Sequence, residues 1–216
     1  MNKKTTALLI VQFAAVVASG IIAKDGIYAI IVSVIGLVFN FLVSLNIPYG
    51  FIFGFAYAIT NGILAFRTGA YATFAFMIFL QAPMAVYSFF KWKRKKSGGE
   101  EIMKKMTPAW IIGLCVFMAL LGVGSYFALG KLGGSAVITD TIFFVFSVTA
   151  CLLLAGCFKN AYILTLLSGL GGTALWLYQL INQGVGLSVA VFYIIVSINS
   201  VIAVYQQYFS KKRRKA

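Results

Sequence analysis

The chain contains no histidine, only four acidic residues and three cysteines among its 216 residues, and charged side chains make up just 10% of it, against about 25% in a soluble domain. Each shortage closes off a class of chemistry. Without histidine, a zinc site or a Cys/His nucleophile pair lacks its partner for Cys115, Cys151 and Cys157. All three cysteines sit in apolar stretches, where they read as small packing residues rather than a disulfide framework. The acids are Asp25, Glu100, Glu101 and Asp140, and none lies in the middle of an apolar tract. A membrane-embedded enzyme would need paired interior carboxylates, a base or a metal cluster. A proton-coupled carrier would need a titrating group in the membrane interior. No Gly-x-x-x-x-Gly-Lys-Ser/Thr loop occurs, so the chain does not itself use ATP. Neither an enzyme nor a cofactor is expected.

What is present is apolar surface. Hydrophobic residues account for 62% of the chain, and 18 Lys and Arg against four acids give a net charge of +14. In a soluble protein that imbalance would suggest nucleic acid. Here the charges gather in a few clusters between long apolar tracts, which points to anionic membrane lipids instead and leaves no nucleic-acid partner expected.

Charge-free intervals count the membrane spans, because a spanning helix needs about 20 apolar residues and a charge at its centre costs roughly 3 kcal/mol. Residues 5–23 form the first. The interval from Gly26 to Phe66 is broken by Asn46-Ile47-Pro48 and gives two more. Thr68–Phe90 is the fourth span, Met106–Gly130 the fifth, and Thr141–Phe158, after Asp140, the sixth. The interval Asn160–Ser210 divides at Asn182-Gln183-Gly184 into the last two. An all-α integral membrane protein of eight transmembrane helices follows, with Lys91–Lys105 as its aqueous linker. Of the 18 Lys and Arg, all but Lys24, Arg67 and Lys131 then fall on one side, which the positive-inside rule makes cytoplasmic together with both termini. Lys3-Lys4, the apolar run after them and the small residues around Ser19-Gly20 also fit a cleavable signal peptide; the length of the run favours a retained helix.

A spacing of 115 positions relates the two halves. Asp25-Gly-Ile-Tyr corresponds to Asp140-Thr-Ile-Phe, Gly54 to Gly169 and Gly69 to Gly184. Helices 2–4 and 6–8 run in the same directions, which requires an odd connector, helix 5. The expected architecture is 1+3+1+3, with two parallel three-helix repeats and a site between them near mid-membrane. Its parts are an N-terminal helix (1–24), a first repeat (25–92), a basic linker with connector helix (93–134), a second repeat (135–210) and a basic cytoplasmic tail (211–216).

Gly50-Phe-Ile-Phe-Gly54 through Tyr57, Gly69-Ala-Tyr71, Pro83-Met84 and Phe89-Phe-Lys-Trp92 resemble the first repeat of the PnuC family. Asp140 through Ser147, Lys159-Asn160, Trp176, Gly184 and Tyr205-Gln-Gln-Tyr208 are similar to its second. The pattern is departed from at Ala85, Ser88 and Tyr208. The resemblance implies a bacterial inner-membrane carrier for a vitamin precursor, typically nicotinamide riboside, with relatives for thiamine or riboflavin. It further implies facilitated diffusion, trapping by a cytoplasmic kinase without obligatory contact, and a trimer. A substrate-capturing subunit of an ATP-driven vitamin importer is the alternative, and the eight spans argue against it.

A small-molecule pocket is mostly apolar with a few placed polar groups. Candidate substrate-binding amides within the spans are Asn40, Asn61, Gln81, Gln179 and Asn199; candidate aromatics are Tyr87, Trp176 and Tyr193. For each amide an interhelical hydrogen bond, worth about 0.6 kcal/mol, is the plain alternative. Gln12 lies outside the repeats and reads as structural. Trp92, Trp110, Tyr205 and Tyr208 read as interfacial aromatics, and the run Ser168-Gly-Leu-Gly-Gly172 as close helix packing.

Overall fold

The computed structural model describes residues 3–134 and 136–210; the basic tail, 211–216, lies outside the described residues. Those residues form eight helices: α1 Lys3–Ile22, α2 Ile27–Ser44, α3 Gly50–Arg67, α4 Tyr71–Ser97, α5 Pro108–Leu132, α6 Val137–Ala155, α7 Ala161–Gln183 and α8 Leu187–Tyr205. Each is long and apolar enough to cross a membrane. The chain reverses where expected. Asn46 takes a left-handed conformation (φ 56°) just before Pro48, and Gly69 and Gly184 end α3 and α7 at φ 74° and 70°, a conformation that costs glycine nothing.

Two boundaries differ from the charge-based expectation. The sixth helix begins at Val137, so Asp140 lies in its first turn, where the helix dipole favours an acid. α4 continues through Lys91, Arg94 and Lys96 to Ser97, because Lys and Arg are good helix formers and favour a helix C-terminus. The linker is therefore shorter than Lys91–Lys105, and it is not wholly aqueous. Met103 is buried, Lys104 N–H donates to Cys157 O (2.8 Å), Lys159 N–H donates to Lys104 O (2.9 Å), and the Lys159 ammonium pairs with Glu101 at 3.0 Å.

Within α4, Phe76–Gln81 is wound as a π-helix. Pro83 explains it: proline has no N–H for the carbonyl of Phe79, and its ring crowds that carbonyl, so the preceding turn widens and Ala82 N–H reaches back to Met77 O.

The helices α2, α3, α4, α6, α7 and α8 pack in that order as a ring, closed by α8 against α2. The ring has two seams, α2/α8 and α4/α6. α1 lies outside the first, against α8 and α2, and α5 outside the second, against α6 and α4. Lipid offers no hydrophobic drive for helix association, so close approach of backbones carries the packing. The main buried cluster fills the ring from its middle to the end opposite the termini, here the far end; a second, around Phe51, Trp92, Met103, Cys157 and Tyr162, fills the terminal end.

Candidate functional site

At the far end, α4 and α8 start without local caps: the N-cap positions are Ala70 and Gly186, which have no polar side chain to offer the first N–H groups. Two carboxylates from across the seams take their place. Asp140 of α6 accepts Ala72 N–H (3.0 Å), Thr73 N–H (3.1 Å) and the Thr73 hydroxyl (2.5 Å). Asp25, just before α2, accepts Gly186 N–H (2.8 Å), Ser188 N–H (2.7 Å) and the Ser188 hydroxyl (2.6 Å). Both acids are buried, and both accept charge-assisted bonds at a positive helix end. Thr73 and Ser188 stand at the same 115-residue spacing as Asp25 and Asp140. Further tethers join the halves here. Gln179 and Gln183, one turn apart on α7, donate to the Thr68 carbonyl at 3.2 and 3.1 Å.

Nearer the middle, the hydroxyls of Tyr57 on α3 and Tyr193 on α8 hydrogen-bond at 2.7 Å, and Asn61 Nδ2 donates to Tyr57 at 3.1 Å. This tyrosine pair forms part of the wall of a cavity of about 80 Å³ between the two halves of the ring, which must widen to take a small ligand. Its other aromatic walls are Phe39, Phe76, Phe143 and Phe192; its polar groups are Asn40, Gln81, Ser147, Thr165 and Ser168. None of its lining residues carries a charge. Glycines seat the rings. A Cβ at Gly36 would lie 2.7 Å from both Tyr57 and Phe192, one at Gly54 2.7 Å from Phe39, and one at Gly172 2.6 Å from Tyr193. Ser147 and Ser168 pair through their hydroxyls at 2.7 Å, joining α6 to α7. The π-helical turn supplies Phe76, Met77 and Gln81.

Of the residues singled out from sequence, Asn40, Gln81 and Tyr193 line this cavity. Asn61 stands behind the tyrosine pair, fully buried, and its Oδ1 has no partner among the described residues. Trp176 is buried with its ring against Gly186, whose φ of 108° excludes a side chain, and the indole Nε1 likewise has no partner among the described residues. Asn199 lies behind Asn40, to which it donates at 3.3 Å. Gln179 serves the far-end tether. Tyr87 is 51% exposed and outside the cavity, under the Lys91 ammonium at 5.2 Å. It follows Gln81 by six residues, roughly 240° round a helix, whereas Ala85 and Ser88 at four and seven residues share the buried face. Trp92 is no interfacial aromatic: it is fully buried, edge-on to Phe51 at 4.8 Å, with its indole N–H on Leu154 O.

Tyr57, Phe143, Phe192 and Ser168 are cavity residues that sequence reasoning does not select as site residues. Their signal lies in the glycines opposite them and in the hydroxyl opening the Ser-Gly-Leu-Gly-Gly run, a run that reads as packing when the sequence stands alone.

A family model described as nicotinamide mononucleotide transporter matches residues 26–208. Among solved structures, the fold matches one described as the crystal structure of the vitamin B3 transporter PnuC, with a TM-score of 0.83 over 99% of this chain and 94% of that one, at 15% sequence identity. No curated protein sequence matches the chain.

Proposed function

Because this chain belongs to the nicotinamide mononucleotide transporter family, transporters and not enzymes, we propose that it carries nicotinamide riboside, rather than the phosphorylated mononucleotide, across the bacterial inner membrane. The observation that carries this reading is the uncharged cavity. A phosphate monoester brings close to two negative charges, and burying them without a cation or a helix N-terminus is prohibitive. The lining offers neither, since no Lys or Arg is among it and the helices pass the cavity mid-length. What it does offer suits the riboside. Six aromatic rings favour a flat cationic pyridinium, at about 0.5–2 kcal/mol per well-placed ring, and Asn40, Gln81 and the serine hydroxyls match ribose and carboxamide. Asn61, which donates to Tyr57, and Trp176, buried against Gly186, each keep a buried polar atom with no partner among the described residues, and both are assigned as further contacts, made when Tyr57 and Tyr193 part.

Transport in this reading is facilitated diffusion, with a cytoplasmic kinase trapping the product and both termini in the cytoplasm. The reciprocal aspartate caps support two parallel three-helix repeats, 25–92 and 135–210, rocking about the cavity, and a trimer is the assembly proposed. The test is calorimetric titration of the purified protein with nicotinamide riboside, its mononucleotide, thiamine and riboflavin, followed by flux into proteoliposomes. Nicotinamide riboside should bind at least 100-fold tighter than the mononucleotide and equilibrate without ATP or an ion gradient. Equal affinity for the two would sink the assignment, and accumulation above the outside concentration in plain vesicles would sink the passive mechanism.

A further inference from the structure

The amide that faces the cavity at Asn40 is the last member of a chain that begins outside the ring. Gln12 of α1, buried among mostly exposed neighbours on that helix, forms a two-way amide pair with Asn199 of α8: Gln12 Nε2 donates to Asn199 Oδ1 at 2.7 Å, and Asn199 Nδ2 donates back to Gln12 Oε1 at 3.3 Å. The second hydrogen of Asn199 Nδ2 goes to Asn40 Oδ1, also at 3.3 Å. Gln12 and Asn199 are both buried, so neither can exchange this arrangement for water. An amide carries a donor end and an acceptor end. Holding one end of Asn40 against Asn199 therefore leaves its other end for the cavity that Asn40 lines.

We infer that Gln12 and Asn199 are positioning residues that hold the Asn40 amide in place at the site, so that its remaining end meets a polar group of the cargo. The inference rests on the cavity being the substrate site, and it gives a function to a peripheral helix that touches no cargo. Without Gln12, Asn199 loses the partner that holds its amide in place. That amide then shifts, and Asn40 loses its fixed support. The cost falls on ligand affinity more than on the fold, because α1 lies outside the closed ring.

The experiment is calorimetric titration of the full-length purified protein with nicotinamide riboside, using Gln12→Met, Asn40→Ala, the double variant and Gln12→Glu, with the ligand-free unfolding temperature of each. Gln12→Met keeps the shape and removes both hydrogen-bonding ends. It should weaken binding about tenfold, and the double variant should bind no more weakly than Asn40→Ala alone, since two residues acting through one contact are not additive. The carboxylic acid that Gln12→Glu introduces, kept neutral by burial, still donates and accepts, and should return affinity to within about threefold of the wild type. Unchanged affinity in Gln12→Met, a lowered unfolding temperature without an affinity change, or losses that multiply in the double variant would each overturn the positioning role. Failure of the wild type to bind nicotinamide riboside at all would instead overturn the cargo reading beneath it, and this inference with it.

Discussion

The ring of Tyr193 occupies the space that a side chain on Gly172 would need, with a clash at 2.6 Å. Ring and backbone are both packed, so Gly172→Ala must push Tyr193 away from Tyr57 and lengthen their hydroxyl contact of 2.7 Å. Overpacking of this kind costs about 1–3 kcal/mol. The expected outcome is a roughly tenfold loss of riboside affinity with a modestly lower unfolding temperature, read by calorimetry and a thermal melt; unchanged affinity would show that the tyrosine pair does not shape the site. Single residues are unevenly legible in the sequence. Asn40 and Gln81 are conspicuous because an amide in an apolar run is rare and costly. The aromatic wall is not, because 20 Phe and 11 Tyr are spread over the spans and nothing local tells a cavity ring from a lipid-facing one. Asp25 and Asp140 are legible as helix-end acids, while their partners, far along the chain, are not.

At the scale of elements, charge-free intervals find all eight helices because a buried charge is the strongest penalty the bilayer imposes. They do not find the π-helical turn, which has the same composition as the α-helix around it, although Pro83 marks its cause. That turn has a testable role. Restoring a full backbone N–H with Pro83→Ala lets Phe76–Gln81 relax to α-helical winding, which changes the register by one residue, roughly 100° of rotation, and turns Gln81 and Phe76 relative to the cavity. Riboside affinity should fall by about an order of magnitude while the unfolding temperature stays level or rises, since a proline is leaving a helix interior. A variant that binds as tightly as the wild type would mean that the widened turn accommodates the proline and nothing more. The terminal-end linker escapes sequence reading for a related reason: its lysines look solvated, and the backbone pairing of Lys104 with Cys157 and Lys159 has no local signal.

At the scale of the whole molecule, the closure of the ring is not legible in the sequence, because it depends on contacts between halves of the chain more than 60 residues apart. The two seams are fastened alike, by Asp25 across α2/α8 and Asp140 across α4/α6, each acid holding two backbone N–H groups and one hydroxyl. If the halves are parallel repeats, the two acids are equivalent devices. Asp25→Ala and Asp140→Ala should then each destabilise the protein by about 1–2 kcal/mol, the usual loss of a helix cap. Because the caps sit on opposite seams with no shared partner, the double variant should show the sum. Thermal and denaturant unfolding in detergent measure all three. A markedly larger loss at one acid would mean that one seam is the structural hinge and the other a contact of convenience, which would undo the symmetric rocking motion proposed for transport. Equal and additive losses would fit a carrier whose far end opens only when both carboxylates release the helices they cap.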